Sequence, residues 1–295
     1  MYAQISSNVW KSVLLVIVFM AVLIGLGYLF SEVTGFPYIL PVAVVIAVAG
    51  SIGSYYYSDR IVLGMSQARP ANREEHALIM NSVEGLALAA GIPVPRIYVI
   101  DDTAPNAFAT GRDPQHAVIC VTTGLMQKLD RIELEAVIGH EMAHIKDYDI
   151  RFMALVAILA GTIVLISDWL LRSMWWGGGR DRDDDREGGS NPILMLVAIA
   201  AAILAPIIAT LIQLSISRKR EYLADAQGAL LTRYPDGLAS ALAKIAADPE
   251  PLEAANKATA HLYIYNPLRE HGGFLNSLFS THPPIEDRIR RLKAM

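Results

Sequence analysis

Within the stretch VIGHEMAHIKDYDIRFMALVAILAG (Val137–Gly161), three residues have the types and spacing of hydrolytic metal chemistry: His140, Glu141 and His144. Residues four apart on a helix share a face, so His140 and His144 can direct two imidazoles at one ion. Glu141 is offset by one position, where it can take a proton from a polarised water without binding the ion itself. A zinc ion held this way lowers the pKa of water toward neutrality and polarises a carbonyl, which is the chemistry of peptide hydrolysis.

A catalytic zinc needs a third protein ligand. Asp147 follows His144 by three residues, but three ligands from one helix give poor tetrahedral geometry. The continuation with Gly at 147 and His at 150 is excluded, because this chain has Asp147 and Ile150. A better source is SRKREYLADAQGAL, where Glu221 and Asp225 lie four apart on an expected helix. Glu221 can ligate while Asp225 holds a ligand imidazole through its other ring nitrogen. The same spacing also fits two acids on a solvated face beside Arg218 and Arg220, and spacing alone does not choose.

The elements that must carry these residues are unusual. The 295-residue chain is 53% hydrophobic and only 18% charged, with mean hydropathy +0.36. Soluble domains carry about 25% charge. The apolar excess falls in four blocks, Val13–Phe30, Tyr38–Tyr57, Phe152–Trp176 and Ile193–Ile216. Each approaches or exceeds the roughly 20 residues of a spanning helix, so the chain reads as a multi-pass integral membrane protein in contact with the bilayer. The first block lacks a strongly basic start and an evident cleavage site, and reads as a retained anchor. Trp10, Tyr28, Trp169, Trp175 and Trp176 lie near block ends, where amphipathic rings favour the interface. Asp168 and Arg172, four apart, read as a snorkelling ion pair, and so little other intramembrane charge disfavours a transporter.

Net charge is −4, which leaves no basic footprint for nucleic acid. The single cysteine, Cys120, excludes an internal disulfide framework and a cysteine-rich metal site, and reads as a small buried hydrophobe. Ten lysines and arginines flank the blocks on the side of the polar segments, against four (Arg172, Arg180, Arg182 and Arg186) on the other. That asymmetry puts the polar segments in the cytoplasm and the mixed-charge loop GGGRDRDDDREGGSNP outside.

The resulting organisation has two N-terminal spans (1–57), a first polar half (58–151), a membrane hairpin (152–216) and a second polar half (217–295). An even number of crossings separates the halves, so they can form one catalytic domain. REEHALIMNSVEGLALAAGIPVP reads as a helix from about Arg73 to Ala90, stopped by Gly91. RIYVI and HAVICVTT read as strands of a small sheet. Asp130 is placed to cap the helix bearing His140, and Ile285, Ile289 and Leu292 form one apolar face of a final helix. The expected fold class is α+β, predominantly helical, with four transmembrane helices.

GHEMAH, the downstream REYLADA, PNAFATG and a terminal STHPP with EDRI together resemble the HtpX-type membrane zinc metallopeptidases, relatives of the CAAX prenyl endopeptidases. The resemblance covers nearly the whole chain, including the order of the four blocks. It implies a gluzincin-type catalytic domain, one zinc ion per chain and Glu221 as the third ligand, with Asp225 behind a ligand imidazole. It also implies polypeptide substrates and a role in stress response and quality control of membrane proteins, at the cytoplasmic face of a bacterial inner membrane. Asn106 and His282 acquire a meaning only through the resemblance, as groups facing the catalytic centre that hold substrate backbone or developing oxyanion. NAFATG resembles a strand edge that pairs with an extended peptide. His76, His116, His261 and His271 fit no ligand pattern and read as surface or internally satisfied histidines. A scaffold that holds zinc only structurally would have no need of Glu141.

Overall fold

This computed structural model describes residues 2–177, 192–214, 218–255, 258–267 and 283–295. The first two apolar blocks form α1 (Tyr2–Thr34) and α2 (Ile39–Met65). Strand β1 (Arg69–Pro70), helix α3 (Ala77–Ala90) and strands β2 (Arg96–Ile100), β3 (Ala107–Thr110) and β4 (Val118–Thr122) follow. Helices α4 (Thr123–Lys128) and α5 (Arg131–Lys146) then lead into α6 (Asp149–Gly177). The second half contributes α7 (Pro192–Leu214), α8 (Arg218–Thr232), α9 (Pro235–Ala247) and α10 (Ile285–Leu292).

Among the described residues, three helices are long and apolar enough to cross a bilayer: Ile5–Thr34, Ile39–Met65 and Asp149–Trp169. Their outward positions carry Leu14, Val45, Ile52 and Leu165, the reverse of a soluble helix with a polar outer face. The fourth apolar block is also helical, as the 23-residue α7, which packs on α6 and α1 with Ala202 and Ala205 buried. Asp168 and Arg172 form the expected exposed pair at 2.8 Å.

The sheet has the order β1-β2-β4-β3, with β2 and β4 parallel and β3 antiparallel at one edge. Alternation explains why β3 and β4 are buried along their whole length. Ala107, Ala109, Ile119 and Val121 point into a core shared with α5 and α9. Phe108, Val118 and Cys120 point the other way, onto Val62 and Leu63 of α2 and Met153, Ala154 and Ala157 of α6. The sheet is thus sandwiched between the helices of the polar half and the ends of membrane helices, the two-sided burial that selects continuous apolar strands. α2 passes from one environment to the other at Tyr57, whose φ −116° and ψ 17° break the helix locally.

Two local sequence signals decide the element bounds. Gly91 takes φ 69° and ends α3, its N–H bonding to Leu88 O while Ile92 N–H returns to Ala87 O. The start of α3 is Ala77 rather than Arg73. Asn72 Oδ1 accepts from Glu74 N–H, and Asn72 O accepts from His76 N–H, so a side-chain turn displaces the first helical turn.

Candidate metal centre

Helix α5 begins with a reciprocal cap: Asp130 Oδ1 accepts from Glu133 N–H, and Glu133 Oε2 accepts from Asp130 N–H, both at 2.9 Å. Three turns on, His140, Glu141 and His144 are all buried. The two Nε2 atoms face each other at 3.2 Å. Glu221 enters from α8, with Oε2 3.7 Å from His140 Nε2 and Oε1 3.5 Å from His144 Nε2.

These separations test the fit of a metal. Zinc bonds of about 2.0–2.1 Å in a tetrahedron put ligand atoms about 3.3–3.4 Å apart, close to the distances found. Among the described residues, His140, His144 and Glu221 form the group of potential metal ligands, and all three are buried. Two imidazoles and one carboxylate with a fourth direction left over match a catalytic rather than a closed structural zinc site.

Each imidazole is held from behind by a carboxylate. Asp225 Oδ1 lies 3.0 Å from His140 Nδ1, and Asp149 Oδ2 lies 3.1 Å from His144 Nδ1. Each carboxylate in turn meets a buried arginine. Arg288 of α10 donates to both oxygens of Asp225, at 2.9 and 2.6 Å, and to Ile264 O at 2.9 Å, and approaches Glu221 Oε2 at 3.3 Å. Arg220 stands 3.2 Å from Asp149 Oδ1 and lies over the Phe152 ring.

The charges follow from this enclosure. Burial pushes the His140 imidazole below its ordinary range, more than Asp225 offsets. Burial also opposes charge on His144, but the Asp149 hydrogen bond and the Glu221 carboxylate outweigh it and push it up to about 9. The site therefore draws positive charge to the point where a divalent cation would answer the same carboxylates. Burial raises Glu141 to about 7, with Glu221 adding to the effect and His144 opposing it. That value suits a group that takes and returns a proton near neutral pH. Ala109 N–H of the edge strand bonds to the Glu141 carboxylate, while Glu141 Oε2 has no hydrogen-bond partner among the described residues.

The remaining candidates lie as follows. Asn106 is buried beside β3, and its amide is engaged with backbone: Nδ2 donates to Tyr265 O at 2.9 Å, and Oδ1 accepts from Ala107 and Tyr265 N–H groups. His282 and His271 lie outside the described residues. His76 bonds within its own turn, His116 pairs with Asp113, and buried His261 reaches Met153 O. Cys120 is buried in the sheet, which pushes its thiol well above the ordinary range.

Two residues escaped the sequence reading. Arg288 had a signal: it sits between Ile285, Ile289 and Leu292 on the apolar face of the last helix, where a charge demands a buried partner. Asp149 had none, because its approach to His144 depends on the break between α5 and α6.

The family model of peptidase family M48 matches residues 73–295. A Protease HtpX homolog of Dictyoglomus thermophilum is 51% identical over 242 residues, covering 82% of this chain and 77% of that protein. One from Thermoanaerobacter pseudethanolicus is 46% identical over 297 residues, covering 100% and 98%. Superposed on the crystal structure of S. mikatae Ste24p, the fold covers 99% of this chain and 67% of that one, at 20% identity and a TM-score of 0.48. Matched by HtpX proteases along its whole length, the chain belongs to peptidase family M48 as a membrane metalloprotease.

Proposed function

We propose that the protein is a zinc endopeptidase that hydrolyses polypeptides, membrane proteins among them, at the cytoplasmic surface of a bacterial inner membrane. His140, His144 and Glu221 hold the ion, Asp225 orients His140, and Glu141 is the general base. The carrying observation is the near-tetrahedral spacing of the three ligand atoms beside a buried carboxylate raised to about 7. Zinc, when bound, supplies Lewis acidity that polarises the scissile carbonyl and acidifies water. Glu141 accepts the proton of the attacking water and passes it to the leaving amine.

The catalytic domain is gluzincin-like and joins residues 58–151 to 217–295, with four membrane crossings in segments 1–57 and 152–216. Supporting this, residues of both halves share one core, Val137 and Ile138 with Leu238, Leu242 and Leu292. The excess of lysine and arginine beside the polar halves supports the cytoplasmic side. Helix α5 runs almost directly into α6, and Glu221 follows α7 by seven residues, which favours substrates that are themselves membrane-bound.

An extended substrate adds to the edge of β3 that faces away from β4. Ile264 N–H already bonds to Ala107 O, so the usable edge is the part toward Gly111, where Ala109 meets Glu141. Asn106 serves this edge by clamping Tyr265 against it, and His282 remains the candidate for the developing oxyanion.

The test is to purify the full chain in detergent without zinc, then add zinc and an unfolded polypeptide. Wild type gains cleavage with one zinc per chain. Glu141→Gln binds zinc equally but cleaves about a hundredfold more slowly or worse. Full zinc with undiminished cleavage in that variant would rule out the mechanism.

A further inference from the structure

Helix α5 ends at Lys146 and α6 begins at Asp149; between them Tyr148 takes φ 60°, a left-handed conformation uncommon outside glycine. One side chain from the far end of the sequence spans this corner. Asn8 of α1 is buried, and its Nδ2 donates to Asp147 O at 2.9 Å and to Asp149 Oδ1 at 2.6 Å, on either side of Tyr148. The other oxygen of Asp149 meets His144 Nδ1. A buried amide is costly unless bonded, and here both bonds converge on the residues that turn the ligand helix into the membrane.

We propose that the first membrane helix is a working part of the metal centre, with Asn8 as the positioning residue that fixes Asp149 and, through it, the ring of His144. The inference rests on His144 being a zinc ligand. The two imidazoles are then held by parallel devices of different origin. Arg288 secures Asp225 behind His140 from within the polar half, whereas Asn8 secures Asp149 behind His144 from α1, with Arg220 on the same oxygen. Any shift of α1 relative to α6 is felt at the ion.

The experiment measures zinc affinity of the full chain in detergent by competition with a chelator, together with thermal unfolding of the zinc-free protein. Asn8→Ala and Asp149→Asn each weaken zinc binding by about 10–100-fold. The double variant is no weaker than Asp149→Asn alone, because both act through one connection. Ser12→Ala is the control: its hydroxyl bonds to Asn8 O on the same buried face of α1 but does not touch Asp149, so its zinc affinity stays at wild type. If Asn8→Ala does not fold, Asn8→Ser makes the same comparison, since serine is too short to reach both acceptors. Unchanged affinity in the Asn8 variant, or losses that add with Asp149→Asn, overturns the proposal. His144→Ala separates the two readings. If it loses zinc while Asn8→Ala binds normally, only the role of α1 fails; if it keeps zinc, the ligand assignment fails too.

Discussion

Gly228 and His140 touch backbone to backbone: a Cβ on Gly228 would stand 2.8 Å from His140 N and 3.0 Å from its Cα. Glu221, Asp225, Gly228 and Thr232 follow at steps of four, three and four, so they form one face of α8, and that face lies on α5. Gly139 completes the contact, its own Cβ position being 3.1 Å from Thr232 Cγ2 and 3.3 Å from Gly228 O. The close crossing is what lets a carboxylate on α8 reach between two imidazoles on α5.

Gly228→Ala therefore pushes α8 off α5 two turns from Glu221. Overpacking of this kind costs about 1–3 kcal/mol, and the ligand carboxylate withdraws with the helix. Zinc affinity falls by about tenfold or more, alongside a lower Tm in detergent. Wild-type zinc affinity in this variant would show that helix spacing does not set the ligand distance.

How much of this was legible in the sequence differs from residue to residue. His140 and His144 were legible because a four-residue repeat fixes a shared face whatever the tertiary context, and Asp130 because capping is local. Strands β2 and β4 were legible from β-branched runs, β3 only through the family resemblance and β1 not at all; two-sided burial was hidden too, since it depends on membrane helices packing beneath the sheet. Glu221 could be placed on one face of its helix with Asp225 but not at the distance a shared ion needs, because the tight crossing rests on Gly228 and Gly139, whose letters carry no such message. Asp149 was hidden for a related reason: the left-handed Tyr148 brings it back to His144, and no residue type announces a strained corner. Arg288 was in view within an apolar stripe and only its partners were missing.

In the proposed assignment Glu221 and Asp225 share a face but have different tasks, and substitution separates them. Glu221→Gln removes charge and a bond to the ion, so most zinc affinity and all useful cleavage are lost. Asp225→Asn disturbs only the hold on His140 Nδ1, so zinc binds about 10–100-fold more weakly and cleavage partly recovers as zinc is raised. A zinc titration that follows metal content and cleavage together decides the matter. A metal-free Asp225→Asn beside a normally titrating Glu221→Gln would reverse the two assignments.

The cap of the ligand helix gives stability a pH dependence. Burial alone would raise the Glu133 carboxyl, but Lys244, Ser240 and the Asp130 amide together hold it below its ordinary range. A depressed carboxylate contributes stability that is complete above the ordinary value, about 4.3, and lost as pH falls through the lower folded value. Glu133→Gln should cost about 1–3 kcal/mol near neutrality, the usual worth of hydrogen bonds to a charged group. The difference in Tm between wild type and Glu133→Gln therefore narrows as pH is lowered from 7 toward 3. A difference that stays constant across that range would mean the carboxylate charge is irrelevant to the cap.

Arg288 and Asp225 form a fully buried pair, and removing one partner is a different perturbation from removing both. Arg288→Met leaves the Asp225 carboxylate without its two guanidinium bonds in a site with almost no water contact. Breaking a buried pair in this way costs about 3–5 kcal/mol, whereas replacing both charges is often close to neutral. Arg288→Lys keeps the charge but not the planar fork that reaches both Asp225 oxygens and Ile264 O, so it should fall between wild type and Arg288→Met. Adding Asp225→Asn to Arg288→Met should then recover much of the lost Tm in zinc-free protein, because the stranded charge is gone. Zinc affinity should not recover, since the double variant no longer holds His140 Nδ1 against a carboxylate. Thermal unfolding without zinc and a chelator competition with it separate the two effects. A double variant less stable than Arg288→Met alone would mean that the arginine supports α10 by packing and not by its bonds to Asp225.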